Sequence, residues 1–384
     1  MPSQTIKVVH VITGLSLGGA ETMLCNLLHH ADRRRFRFDV VSLTPGGELR
    51  PSIEELGIPV SDLGLKPGVA NPLALYRLHR HLRRVRPLIL QTWLYHADLV
   101  GTLVAPFSGV QGLYWNIRCS DMGAAYYRGT TGLVVKALAA LSRRPKAIVV
   151  NSRAGQREHD GFGYRPRRWE VIPNGVDLER FRPSAQDRSE VWSELGIPAE
   201  AIVIGLVARL DPVKGHDVFL GAAEIAGKNR DDVHFVLVGE GCERGNALLQ
   251  PLAAGLPAER LHLLGRRRDV ARLTAAFDIA CCSSYSEGFP NVLIEAMACG
   301  LPCAVTDVGD CADIVADTGR VSAAGDARAL ARSLTSLIEE GPDGRRALGR
   351  AARLRAAEQY GAKAVTARYE ALYAGLAAAP RKAS

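Results

Sequence analysis

Several absences narrow the class of this 384-residue chain before any motif is read. No apolar run approaches the roughly 20 residues that span a bilayer as a helix. The N-terminus runs straight into the apolar segment Ile6–Ile12, without the charged-then-apolar layout of a secretory leader, so a cytoplasmic location is expected. The eight cysteines include no CxxC pair and no zinc-ligand spacing. Most lie in apolar segments, where a free thiol packs as a small hydrophobe, as in a reducing compartment. Neither a DxD-type carboxylate pair nor a His/Asp cluster is present, so no metal and no cofactor is expected. The GxGxxG fingerprint and the Walker lysine are also missing, which weighs against an NAD-dependent oxidoreductase. Basic residues are not interleaved with aromatics, and no nucleic-acid partner is expected.

What is there describes a globular enzyme-sized chain. Hydrophobic residues make up 47% and charged residues 23%, and the length suffices for two cores. The formal charge of +8 calls for an anionic partner, met equally by an anionic small molecule or an acidic membrane surface. The segment 77–86 concentrates this charge in Arg77, Arg80, Arg83, Arg84 and Arg86, with a stripe of Leu75, Leu78 and Leu82. It reads either as a solvated surface helix or as a helix resting on an anionic membrane, which would make the protein peripheral at the cytoplasmic face.

Strand-like runs at 6–12, 38–43, 88–91, 112–116 and 147–151 alternate with helical patterns at 21–30, 73–86 and 99–106. A stretch dense in Pro, Arg and Gly at 165–183 reads as a linker. A second series follows, with strands at 202–208, 233–238, 260–264, 279–282 and 303–306, then helices at 326–340 and 344–373. This is the pattern of parallel α/β sheets. The expected division is an N-terminal Rossmann-like domain over 1–175, a second over 176–358, and a C-terminal helix, 359–384, crossing back to the first domain.

The chemistry concentrates in 283–309. A buried strand closes in Ser283, Ser284 and Ser286, and a loop carries Glu287, Gly288 and Phe289. Pro290 suits a first helical turn, and a helix follows from Asn291 with Val292, Leu293, Ala296 and Met297 at helical spacing. Its amino end favours an anionic ligand. Arg209 and Lys214 follow another strand in a turn shaped by Asp211, Pro212 and Gly215. Arginine as a bidentate chelator and lysine as a point charge suit a diphosphate, although surface loops also carry such residues. The glycines 14, 18 and 19 open a helix, as in a phosphate-binding loop or a tight turn. Tyr95 and His96, then Asn116 and Arg118, follow two further strands, where His96 suits proton transfer or hydroxyl positioning and is equally compatible with a structural role.

In combination these residues resemble the retaining glycosyltransferases of family 4 (group 1 type), with the GT-B fold of two doubly wound Rossmann-like domains facing across a cleft. Glu287-GFPNVLI-Glu295 is similar to the family's E-x7-E signature. Gly18-Gly19-Ala20-Glu21, Ile172-Pro173-Asn174-Gly175-Val176-Asp177 and Val238-Gly239-Glu240-Gly241 resemble further landmarks in the family's order. The resemblance implies a hexose transfer from a nucleotide-diphosphate sugar, by default uridine rather than guanosine, to a hydroxyl acceptor, in polysaccharide or glycolipid assembly. The nucleotide sugar is then a co-substrate, and the acceptor a sugar or a lipid-linked glycan. By the same resemblance Arg209 and Lys214 hold the diphosphate and Glu295 the ribose. Glu287 with Gly288, Phe289, Pro290, Asn291 and Val292 grips the donor sugar, Gly18 and Gly19 approach the phosphates, and His96 is the catalytic-pocket histidine. The segment 265–270 lies against the base, and Tyr95, Asn116 and Arg118 fall on the acceptor side. Tyr95 departs from the family, many of whose members carry histidine or a small residue there. The glutamates have binding roles and are not a glycosidase pair. Two alternatives keep the fold: a nucleotide-sugar 2-epimerase and a non-catalytic nucleotide-sugar-binding subunit.

Overall fold

The computed structural model describes residues 5–66, 71–118 and 130–378. The chain forms two compact units: 1–175 with 362–384, and 176–361.

In unit 1 the elements are β1 Ile6–Ile12, α1 Gly19–His30, β2 Phe36–Ser42, α2 Arg50–Glu55 and β3 Val60–Asp62. They continue as α3 Pro72–Val85, β4 Ile89–Trp93, α4 Tyr95–Val104, β5 Gly112–Ile117 and α5 Thr130–Leu141. The unit's N-terminal portion ends with β6 Ala147–Val150, α6 Arg153–Gly161 and β7 Trp169–Val171. Unit 2 runs through α7 Ala185–Leu195, β8 Ile202–Val207, α8 His216–Ala226, β9 Val233–Val238, α9 Gln250–Ala253 and β10 Leu261–Leu263. It goes on with α10 Val270–Ala275, β11 Ile279–Cys282, α11 Asn291–Ala298, β12 Cys303–Thr306 and α12 Cys311–Val315. It closes with β13 Arg320–Ser322, α13 Ala327–Glu339 and α14 Gly341–Tyr360, and α15 Ala362–Ala378 belongs to unit 1.

Each unit is built on one parallel sheet, in the order β3-β2-β1-β4-β5-β6-β7 in unit 1 and β10-β9-β8-β11-β12-β13 in unit 2. Chain order reverses between β1 and β4, and again between β8 and β11. These are the switch points where loops leave neighbouring strands in opposite directions and open a crevice for a ligand. Helices cover both faces, so the strands are apolar at successive positions: all six residues of β9 are buried. Alternate residues divide between two cores per sheet, Val8 and Ile12 on one face of β1 and Val9 and Val11 on the other. Trp93 and Trp115 are fully buried, each worth about 2–3 kcal/mol of apolar transfer.

The sequence reading differs from this architecture at the short edges and at two helix boundaries. Strands β3, β7 and β13 have three residues each, too few to show periodicity. The helix expected at 99–106 begins at Tyr95, because Leu94 turns the chain immediately after β4. The long helix expected at 344–373 is two, broken at Gly361. In α3, Leu78 and Leu82 are buried in the core of unit 1, so the leucine stripe is not available to a membrane. No helix among the described residues is long and apolar enough to cross one.

Charge divides unevenly between the units. Unit 1 holds 27 Lys and Arg against 13 Asp and Glu, a balance of +14; unit 2 holds 21 against 27, a balance of −6.

Candidate active site

Unit 2 presents a cavity of about 430 Å³ at its switch point, lined by Ala208, Arg209 and Lys214 after β8 and by Ser283, Ser284, Glu287, Phe289, Pro290, Asn291 and Val292 after β11. Lys214 Nζ lies 2.7 Å from Glu287 Oε1, and the Ser284 hydroxyl donates to the same oxygen at 2.7 Å. The pair is shielded, with 27% of the lysine side chain and 10% of the glutamate side chain exposed. Arg209 is different. Its side chain is 67% exposed and its guanidinium bonds the Asp211 carboxylate at 2.9 Å, so it is free to re-aim at small cost. The lysine keeps two further donor directions beyond its glutamate bond.

The loops behind these side chains are bolted together. Asp211 caps the short 3-10 turn Pro212–Lys214 through Val213 N, and this bond, followed by Arg209, holds its carboxyl below the usual carboxylate range. The Ser283 hydroxyl donates to the carbonyls of Lys214 and Gly215, at 3.1 and 2.8 Å. Tyr285 N donates to Val213 O, and the Thr306 hydroxyl donates to Ser284 O. Gly215 has φ +62°, and a Cβ there would stand 2.0 Å from Ser283 O, so only glycine lets the lysine turn sit on the serine loop. Such a shell fixes the two charged side chains before any ligand arrives.

Helix α11 starts at Asn291 with Pro290 as its N-cap and buries Leu293, Ile294, Ala296, Met297 and Ala298. Phe289 packs on Tyr360, ring centres 5.7 Å apart. Glu295 is on the partly open side of α11 and does not line the 430 Å³ cavity; neither does Gly288. No side-chain hydrogen bond to its carboxylate forms among the described residues, and burial pushes its pKa up to about 7. A carboxylate left short of donors in this way is ready to accept from ligand hydroxyls. The segment 265–270 follows β10, where Gly265 accepts from Gly239 N and Arg267 is paired with Asp269 and Glu194.

In unit 1 the residues Gly18, Gly19, Tyr95 and His96 flank the other switch point, after β1 and β4. Gly18 is extended, at φ −161°, and a Cβ on Gly19 would meet nothing within 4 Å. The unit's own packing therefore does not require glycine at 19. Leu94, between β4 and α4, has φ 71° and ψ 156°, a region almost reserved for glycine, which costs about 1–3 kcal/mol. That strain sits one residue before the first turn of α4, and His96 is in that turn, half-buried, its pKa lowered by desolvation. Its imidazole is neutral at pH 7 and able to accept or donate one hydrogen bond. Asp98, fully buried, accepts from the Thr92 hydroxyl at 2.5 Å, and burial raises its pKa to about 8.

Tyr95, Asn116 and Arg118, expected on the acceptor side, make side-chain hydrogen bonds inside unit 1. His159 Nδ1 donates to Gly155 O, so its Nε2 accepts from the Tyr95 hydroxyl at 2.7 Å. Asn116 Nδ2 donates to the Tyr369 hydroxyl at 2.9 Å. Arg118 donates to Ile172 O, Asn174 Oδ1 and the Tyr369 hydroxyl, and desolvation lowers its pKa to about 9. For Asn116 and Arg118 the reason is α15, whose Tyr369 and Tyr373 cover this part of the sheet; for Tyr95 it is His159 on α6. The sequence marks Asp211 as shaping its turn, but not Ser283 and Ser284 as loop fasteners or Leu94 as a strained position. The serines were visible as a cluster; nothing in the residue type marks Leu94. No group of three or more potential metal-ligating side chains is found among the described residues.

Comparison with known proteins gives this geometry its family. Residues 17–180 match the family model "Glycosyltransferase Family 4", and residues 201–340 match "Glycosyl transferases group 1". The chain is 28% identical over 331 residues to EpsF of Bacillus subtilis, which is named as a glycosyltransferase, with 80% of each chain covered. It is 36% identical over 146 residues to the Escherichia coli UDP-Gal:alpha-D-GlcNAc-diphosphoundecaprenol alpha-1,3-galactosyltransferase, covering 37% of this chain and 38% of that one. Among solved structures, Anabaena Alr3699/HepE in complex with UDP superposes with a TM-score of 0.80 at 22% identity, covering 96% of this chain and 100% of the other. The fold is thus that of the GT-B glycosyltransferases, and with both family models covering the two units in order, the chain belongs to the group 1, family 4 glycosyltransferases.

Proposed function

We propose that this glycosyltransferase is a retaining, metal-independent enzyme that moves a hexose from a nucleotide-diphosphate sugar to a hydroxyl acceptor, with uridine as the donor base. The observation that carries the reading is the shielded Lys214–Glu287 pair sharing one cavity with Arg209 and the amino end of α11. UDP in the HepE structure and the UDP-galactose named for the E. coli relative support the choice of base. That relative's lipid-diphosphate acceptor supports a place in polysaccharide or glycolipid assembly.

In this reading the C1–O bond to the donor diphosphate breaks and the acceptor oxygen bonds C1 on the same face. The acceptor's proton passes to a phosphate oxygen. Negative charge grows on the leaving diphosphate, where Lys214 and the α11 amides are held in place and Arg209 turns from Asp211 at small cost, so little reorganisation is needed. Glu287, with the backbone from Gly288 to Val292, holds the sugar hydroxyls, and Glu295 accepts from the ribose. Gly18 and Gly19 allow close approach of backbone to phosphate. His96, neutral at pH 7, orients a hydroxyl of the sugar or acceptor. Tyr95, Asn116 and Arg118 serve as the buried support of the acceptor side rather than as its contacts. Contact with an anionic membrane surface belongs to the same reading. It would rest on charge alone, through exposed residues such as Arg80 and Arg84. Binding to anionic vesicles that survives Arg80→Glu/Arg84→Glu unchanged would remove that part.

The test begins with thermal-shift screening of uridine and guanosine diphosphate sugars, since a true donor stabilises the native chain. Transfer is then measured for Lys214→Ala and Glu295→Ala, each expected to lose about a hundredfold or more of kcat/KM. Wild-type transfer by both variants would sink the assignment. The anomeric configuration of the product reports retention, and unchanged rates in EDTA report metal independence. Donor consumption without acceptor would indicate an epimerase instead.

A further inference from the structure

Unit 1 has a second concavity, about 780 Å³, at the opposite edge of its sheet from Gly18 and His96, where the strands begin. Four cations from separate places in the chain line it: Lys7 on β1, Arg35 just before β2, Arg83 on α3 and Arg86 just after it. No aspartate or glutamate lines it, and none of the four has a carboxylate partner among the described residues. Their recorded contacts are neutral ones. Lys7 Nζ donates to Val85 O at 3.4 Å, and the Arg35 guanidinium stands 5.4 Å from the centre of the Phe36 ring. The nearby Asp32 is already paired with Arg34. The remaining wall is polar at Ser108 and Gln111 and apolar at Ile6, Pro87, Leu88 and Leu376.

Two features separate this cluster from an ordinary solvated face. Like charges gathered around a shared concavity repel one another when it is empty, and an anion relieves the repulsion. Arg86 is also a left-handed helix C-cap, φ 50° and ψ 58°, its amide bonded to Leu82 O. Glycine fills that position without steric cost and arginine does so at about 1 kcal/mol, so the fold by itself has no use for a guanidinium there. The +14 balance of unit 1 places the same sign of field over the whole unit.

We propose that this cavity binds a phosphomonoester or diphosphate group, with arginines as its oxygen-matching donors and the apolar wall receiving the carbon part of the ligand. The group is either the headgroup of a phospholipid or part of a freely soluble phosphate compound. The site is separate from the donor cavity of unit 2 and does not depend on the reading given to that cavity.

The test uses the full chain carrying Arg209→Ala and Lys214→Ala, which silences the unit 2 cations, titrated with inorganic pyrophosphate by calorimetry at physiological ionic strength. Saturable one-site binding is expected, weakened about tenfold or more by Arg83→Gln/Arg86→Gly, because two of four charge-assisted donors are gone. Arg86→Gly should keep or raise the melting temperature, and Arg35→Gln serves as an independent variant should the double change disturb folding. Phosphatidic acid and phosphatidylglycerol vesicles then separate the two sources. Preference for the phosphomonoester lipid that is lost in the variants assigns a lipid headgroup, and pyrophosphate binding without vesicle binding assigns a soluble phosphate. No saturable pyrophosphate binding, or equal binding by the variants, overturns the proposal.

Discussion

Glu295 and Lys214 show how differently two site residues carry their charge. Lys214 is compensated by Glu287 before any ligand arrives, whereas the Glu295 carboxylate has no hydrogen-bond donor among the described residues and its pKa is raised to about 7. Because the folded pKa lies above the unfolded one, the native chain holds an extra proton between them. Glu295 therefore costs stability as pH rises through 7 and costs nothing below about pH 4.5. Glu295→Gln is expected to raise unit 2 stability by about 3 kcal/mol at pH 8 and to leave it unchanged near pH 4. Urea unfolding at the two pH values checks this, and an equal gain at both would contradict a desolvated carboxylate. The same variant should weaken donor binding, a site residue kept at the expense of stability.

At the scale of elements, the loops after β1, β4 and β8 support contrasting substitutions. Gly19→Ala meets open space, so the melting temperature should hold while the donor KM rises. Gly215→Ala combines a left-handed φ with a 2.0 Å approach to Ser283 O and should cost about 2 kcal/mol or more. Leu94→Gly relieves backbone strain while losing a half-buried side chain, so stability should change by less than about 1 kcal/mol. Leu94→Val, β-branched at positive φ, should lose about 2 kcal/mol. Denaturant midpoints for the pair distinguish strain from packing. These differences were illegible in the sequence, since Gly19 and Gly215 are the same residue in similar glycine-bearing turns. What stands opposite each Cβ is set by a partner far along the chain.

For the whole molecule, the dependence of unit 1 on α15 is the sharpest consequence of the fold. Removing 362–384 takes away Tyr369 and Tyr373, both fully buried, and with them the hydroxyls that bond Asn116, Arg118 and Gln91. Unit 2 keeps both of its cores. Limited proteolysis of the truncated chain is expected to digest unit 1 and leave a fragment near 176–361, identified by mass spectrometry. Comparable protection of both units would show that α15 is dispensable.

The sequence alone determined the alternation of strands and helices, and it placed Arg209 with Lys214 after one strand and Glu287 with Glu295 around the start of one helix. Those features rest on periodicity and on turn residues, which act within a few positions of one another. The tertiary structure alone decided which of the candidate polar residues stay open. Asn116 and Arg118 meet Tyr369 across separations of 253 and 251 residues, and no local pattern encodes such a pairing. It also decided where the charge goes: four cations at positions 7, 35, 83 and 86 become neighbours only because parallel strands begin at one edge of the sheet.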